Sequence, residues 1–285
     1  MMRIFHCVFS LLITATASYI DDFDDELSSV SLVHGPNFNY TCLGGPLNWY
    51  GLDMKHNALC ASGRYQSPIN IDSNIHIGAG GIGMQIPPID TAHFENLGST
   101  VEVALSQGRL FTPTGRYALK QFHFHTPSEH RINEEYYPLE VHFVFKDPAG
   151  RVAVVGFVFE LIEAGSGDAL FENILSRVHR IASPGTSVRV FRLSFGHLAG
   201  HLESNPIYQY SGSLTTPPCT ENVAWYISSE PISLSVKNFN AIKHVLKFNS
   251  RYTQNIPGES NLLEVAASEL HPITHEVKPV QHELK

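Results

Sequence analysis

Cysteine, methionine and tryptophan are scarce in this chain of 285 residues, which holds four, four and two of them. So few cysteines exclude a disulfide-stapled miniature scaffold, and a hydrophobic content of 43% is ample for a conventional core. Positive charge is scarce as well. Nineteen Lys and Arg stand against 27 Asp and Glu, a formal net charge of -8, so no nucleic-acid partner and no anionic membrane surface is expected. Beyond the N-terminus no segment approaches the ~18 consecutive apolar residues of a spanning helix. Linkers rich in proline or serine, low-complexity segments and internal repeats are missing too, which points to one domain over residues 35–277.

Residues 1–17 read as a secretory signal. Arg3 supplies the positive end, Ile4 to Thr16 the apolar stretch, and Ala15-Thr16-Ala17 the small-residue cleavage pattern. The apolar stretch is interrupted by His6 and is too short to span a bilayer, so the expected product is secreted and extracellular. Residues 18–34, with Asp21, Asp22, Asp24, Asp25 and Glu26, read as an acidic flexible arm, and 278–285 as a polar tail. Removal of the signal takes Cys7 and leaves Cys42, Cys60 and Cys219. One thiol is then left over in a compartment where disulfides persist, either free and buried or bridging two chains.

Strand signals dominate the middle of the chain. Runs rich in Val, Phe and Tyr cover Val101 to Leu105, Tyr117 to Thr126, Leu139 to Lys146, Val152 to Glu160 and Val223 to Ile232. Helical spacing appears over Ala169 to Ile181 behind an Asp168 cap, and over Val236 to Leu246 behind Ser235. The fold class expected is α+β and mainly β, a large twisted, mostly antiparallel sheet with short peripheral helices.

Sixteen histidines are the one surplus. In Gln121-Phe122-His123-Phe124-His125 strand alternation puts Gln121, His123 and His125 on one face and the two Phe on the other. In Glu140-Val141-His142 the same alternation aligns Glu140 with His142. A chain reversal around Asn133 to Tyr137 would pair these strands and bring three imidazoles to one point. Three His with no fourth protein ligand suit a catalytic zinc, and Gln121 and Glu140 are placed to orient His123 and His142. His197 and His201 offer a rival pair at helical spacing, but without the Glu of a zinc-protease helix and in a segment expected to be a loop; they read as surface imidazoles, as do His271, His275 and His282.

With these motifs, the sequence resembles the α-class carbonic anhydrases over nearly the whole expected domain. The resemblance is carried by Asn48-Trp49, Gln66-Ser67-Pro68-Ile69-Asn70-Ile71, the His123 and His142 strands, Ser128-Glu129-His130, Gly212-Ser213-Leu214-Thr215-Thr216-Pro217-Pro218, and Asn249, Arg251 and Gln254. It implies zinc held by His123, His125 and His142, and reversible hydration of carbon dioxide to bicarbonate and a proton by zinc-bound hydroxide. Carbonic anhydrases are themselves the reference case for zinc lowering the pKa of bound water to about 7, so that value comes with the resemblance. Thr215 would accept the hydroxide's hydrogen bond and donate to Glu129, while Thr216 would contact bicarbonate. Val144, Val154, Leu214, Val223 and Trp225 would form the apolar wall for carbon dioxide, and Tyr40 would lie in the cleft. Cys60 and Cys219 match the disulfide of secreted members. Cys42 is then left for a monomer's free thiol or a disulfide-linked homodimer, and Asn39-Tyr40-Thr41 is a glycosylation candidate at Asn39.

The pattern is also broken in one place. Ser99 stands where fast members carry a proton-shuttling His, and Leu97 and Glu102 stand where the family often has Asn. A serine hydroxyl does not titrate near neutral pH, so proton release is expected to be slow and helped by external buffer. A catalytically silent relative is disfavoured by the complete set of three His, Thr215 and Glu129. An esterase acting on larger substrates is disfavoured by the bulk of Leu214 and Trp225.

Overall fold

The computed structural model describes residues 37–78, 81–163 and 167–269. The signal, the acidic arm, the polar tail and His271, His275 and His282 lie outside the described residues. A 12-stranded sheet runs through the centre. Its main path is Ser187–Leu193, Ile89–Asn96, Val101–Ala104, Gly115–His125, Leu139–Lys146, Val152–Ile162, Glu221–Ser228, Ile207–Ser213 and His76–Gly78. The sheet is mixed: pairing is antiparallel except where Val152–Ile162 meets Glu221–Ser228 and Ile232–Ser235 in parallel. The family of short helices expected around it is present, and no helix among the described residues is long and apolar enough to cross a membrane.

Alternation along each strand sorts the two faces. Phe94, Val101, Val103, Phe122, Phe124, Val141, Phe143, Val155 and Phe157 are all fully buried in one cluster on one face. Each such side chain contributes about 1.5–3 kcal/mol by leaving water, so a one-residue slip of register would expose the whole set and is strongly opposed. The register is further fixed by Phe122 and Phe143, directly opposed with rings stacked at 4.8 Å. Helices Ala169–Leu175 and Val236–Leu246 pack Leu170, Phe171, Ile174 and Ile242 onto this face. Asp168 accepts from the Leu170 and Phe171 N–H groups and Ser235 from that of Asn238, so both expected caps form.

Three boundaries differ from expectation. The helix over 169–181 ends at Leu175 and resumes as a short 3-10 turn, Val178–Ile181. There the Ser176 hydroxyl donates back to the Asn173 carbonyl and the Arg177 N–H bonds three residues back, which tightens and ends the α-helix. The strand over 223–232 is two strands, Glu221–Ser228 and Ile232–Ser235, divided before Pro231, which has no N–H to give a ladder. His197 and His201 lie on a helix, Gly196–Ser204, and not in a loop. They do not converge: His197 pairs with Asp168 at 2.5 Å, and His201 meets the Ser228 hydroxyl at 2.9 Å.

Candidate metal centre and active site

The antiparallel register sets His142 directly opposite His123 and Glu140 opposite His125. A hairpin turning through Asn133 and Glu134, both at positive φ, returns the chain between these strands. The three imidazoles therefore meet on the face away from the phenylalanine core. Their ring centroids are 4.7–5.4 Å apart, and one nitrogen from each lies within 4.8 Å of the others.

Hydrogen bonds determine which nitrogen each ring presents. Gln121 Oε1 lies 2.8 Å from His123 Nδ1, the Asn249 carbonyl 2.7 Å from His125 Nδ1, and Glu140 Oε1 2.7 Å from His142 Nε2. Each partner is an acceptor, so each of those nitrogens carries the proton and the other nitrogen keeps its lone pair. His123 and His125 thus present Nε2, and His142 presents Nδ1. Burial pushes all three imidazoles below their ordinary range, His125 to about 4, which keeps the lone pairs free near neutral pH. His125 Nε2 is buried without any partner.

Glu140 does more than orient His142. Its Oε1 also takes the His130 Nδ1–H at 2.7 Å, and its Oε2 takes the Glu129 and His130 backbone N–H groups at 2.8 and 2.9 Å. Burial pushes its carboxyl up, but the His130 and His142 imidazoles and their hydrogen bonds outweigh that and hold it well below the ordinary value. His130, Glu140 and His142 also cluster closely enough to suggest a metal site. Glu140 already accepts from both imidazoles and two backbone N–H groups, and His130 Nε2 is bonded to the Tyr210 hydroxyl, so this cluster braces the imidazole triad and is not a second centre. Gly156, opposite His142, leaves the space: a Cβ there would lie 2.6 Å from Ile227 Cδ1 and 3.3 Å from Glu140 Oε1.

Around the triad, Glu129 is fully buried, with Oε2 3.5 Å from His125 Nε2 and 3.9 Å from His142 Nδ1. Its Oε1 accepts the Arg251 backbone N–H at 2.8 Å. Burial raises its carboxyl to about 7 against the lowering effects of His142, the Arg251 N–H and the Thr215 hydroxyl. Val144, Val154 and Trp225 lie in one cross-strand row, and with Val223 and Leu214 they form part of a separate apolar cluster. The Trp225 indole N–H is held by the Ser213 carbonyl at 2.9 Å. Thr215 is buried and Thr216 half-buried on the segment that follows. That segment is tied down by the Cys60–Cys219 disulfide, with Gln66 bonded to the Cys219 carbonyl and Arg251 to the Cys60 carbonyl. Tyr40 packs edge-on against Trp49 and feels the charges of Glu129 and Arg251, while the Ser99 carbonyl accepts from Asn249. Asn39 and Cys42 are exposed at the surface.

Residues 45–264 match the family described as eukaryotic-type carbonic anhydrase. The chain belongs to the α-carbonic anhydrase family. A fungal α-carbonic anhydrase structure from Aspergillus oryzae is 50% identical, covers 82% of this chain and all of that one, and superposes with a TM-score of 0.79. The α-carbonic anhydrase of Thermovibrio ammonificans, solved with the inhibitor sulfanilamide, is 33% identical over 78% of this chain and 96% of its own, with a TM-score of 0.68. A curated carbonic anhydrase of Pectobacterium atrosepticum is 31% identical over 235 residues, 81% of this chain and 92% of that protein. The chain is therefore an enzyme of the class that hydrates carbon dioxide.

Two supports of the α-carbonic anhydrase site had no assigned role in the sequence analysis. The carbonyl that orients His125 belongs to Asn249, and its signal was only a match to a scattered Asn-Arg-Gln group. A backbone acceptor leaves no side-chain trace. His130 could have been found from Ser128-Glu129-His130, since two adjacent titratable residues beside a metal strand are costly to bury without partners.

Proposed function

We propose that this carbonic anhydrase holds one zinc ion through His123 Nε2, His125 Nε2 and His142 Nδ1, and uses it for the reversible hydration of carbon dioxide. The observation that carries the proposal is the buried, partnerless Nε2 of His125, whose other nitrogen is held by the Asn249 carbonyl. A neutral imidazole whose buried lone pair has no partner costs the fold free energy unless something binds it. Three neutral nitrogen donors with a braced outer ring and no fourth side chain suit zinc with one open position. Bound there, zinc supplies a Lewis acid that yields hydroxide from water near neutral pH.

The chain's own residues do the rest. Thr215 donates its O–H in a hydrogen bond to the Glu129 carboxylate, so an oxygen lone pair faces the triad to accept a hydrogen bond from the nucleophile and fix its direction of attack. A dication in the triad favours the ionised form of Glu129 that this requires. Val144, Val154, Leu214, Val223 and Trp225 hold carbon dioxide and exclude water, and Thr216 contacts bicarbonate. Ser99 carries no titrating group, so the proton leaves through external buffer and turnover rises with buffer concentration. The N-terminal signal directs secretion, Asn39 is the glycan acceptor, and Cys42 links two chains.

Stopped-flow hydration of carbon dioxide, measured with and without imidazole, tests this reading. Turnover that climbs with imidazole supports it. High turnover insensitive to imidazole overturns the proton-release part, and no hydration at all overturns the whole.

A further inference from the structure

The sheet face that carries the triad has one acidic flank. A row of directly opposed residues runs from His142 to His123, then to Glu102, then to Glu95. Directly opposed side chains share a face of the sheet, so all four stand on the triad's face, and the alternating Phe94, Val103 and Phe122 lie in the core on the other. Strands are spaced by about 4.8 Å, which sets Glu102 one strand and Glu95 two strands out from His123. The wall of Val144, Val154 and Trp225 lies the opposite way along the sheet.

Glu102 is half-buried. Burial and the Glu95 charge raise its carboxyl to about 7. Among the described residues no cationic side chain is paired with either glutamate. A carboxylate kept half-buried beside a like charge costs stability, and such groups cluster at functional sites. Independently, the buried His125 Nε2, which has no hydrogen-bond partner, marks where a ligand sits on the same face. A dication in the triad opposes that rise and favours the charged carboxylate, so the flank is negative under working conditions.

We propose that Glu102, backed by Glu95, selects the molecule that carries the proton away: a neutral nitrogen base of imidazole type rather than an anion such as phosphate. This rests on the proposed hydration reaction. Each hydration event releases one proton, which the base takes on its nitrogen lone pair, leaving as a monocation. The flank stabilises that cation as it forms and repels a phosphate dianion on approach. A unit charge ~8 Å away in a wet cleft is worth a several-fold effect on rate, weakened by salt.

The test has two arms. In the first, second-order rate constants for 1,2-dimethylimidazole and for phosphate are compared by stopped flow at pH 8.5 and low salt in wild type, Glu102→Gln, Glu95→Gln and Glu102→Asp. The expected imidazole-to-phosphate ratio falls about threefold or more in Glu102→Gln, less in Glu95→Gln, and holds in Glu102→Asp. In the second, binding of 1,3-dimethylimidazolium, a permanent cation that cannot ligate metal, is followed by NMR on metal-free protein. Binding is expected to weaken by a similar factor in Glu102→Gln and to fade at high salt. Equal ratios, or equal binding, in wild type and Glu102→Gln overturn the proposal. A wild type that hydrates no carbon dioxide overturns the proposed function instead, and the binding arm then decides this inference alone.

Discussion

Reducing the Cys60–Cys219 disulfide separates two quantities that fail together in a simple unfolding. The bridge closes a loop across a sequence separation of 159 residues. The chain-entropy relation for a loop of that length gives about 5 kcal/mol of stabilisation through the unfolded state. For a domain of this size each kcal/mol moves Tm by roughly 2–4 °C, so Tm is expected to fall by about 10–20 °C. The local consequence is uneven. Gln66 bonds the Cys219 carbonyl, Arg251 bonds the Cys60 carbonyl, and the Arg251 N–H holds Glu129, so loosening the bridge disturbs Thr215 and Glu129 first. The imidazole triad sits on two central strands, and only the Asn249 carbonyl that orients His125 comes from the Arg251 segment. Below the lowered Tm, a Cys60→Ser/Cys219→Ser variant should therefore keep its zinc while hydration falls several-fold. Differential scanning calorimetry, metal analysis and stopped flow on the same sample check this. An unchanged Tm would refute the entropy argument, and zinc lost in step with activity would refute the separation.

Other perturbations act on single parts. Thr215→Val removes the hydroxyl that directs the nucleophile and should lower kcat about 10²-fold by stopped flow with zinc content unchanged. The metal-free protein should lose stability as pH falls from about 6.5 to about 4: His125 titrates near 4 in the fold, so across that window the unfolded state binds more protons. Its share is on the order of 3 kcal/mol, readable from Tm against pH. Wild type should run as a dimer on a non-reducing gel and Cys42→Ser as a monomer. Glycosidase treatment should lower the mass of the secreted protein but not that of Asn39→Gln.

Short-range order in the site was legible because strands alternate. Gln121, His123 and His125 had to share a face, and so did Glu140 and His142, so their convergence needed only the hairpin through Asn133 and Glu134. The long-range partners were not legible. Nothing near His125 in sequence shows that a carbonyl 124 residues away would orient it. The break at Pro231 has a local signal, the polar Ser228-Ser229-Glu230 before it, but that both halves are strands follows only from their separate parallel pairing with Val152–Ile162. The Gly-containing run around His197 looked like a loop, yet Leu198 and Leu202, four apart and both buried, hold it as a helix. The acidic flank was invisible for the same reason: Glu95 and Glu102 become neighbours of His123 only through register.

The central claim is that the imidazole triad holds the zinc that does the chemistry. The most direct measurement pairs zinc content with carbon dioxide hydration in purified wild type and His142→Ala. One zinc per chain and rapid hydration in wild type, with both lost in the variant, is the predicted result; a zinc-free wild type, or full hydration in His142→Ala, would contradict it.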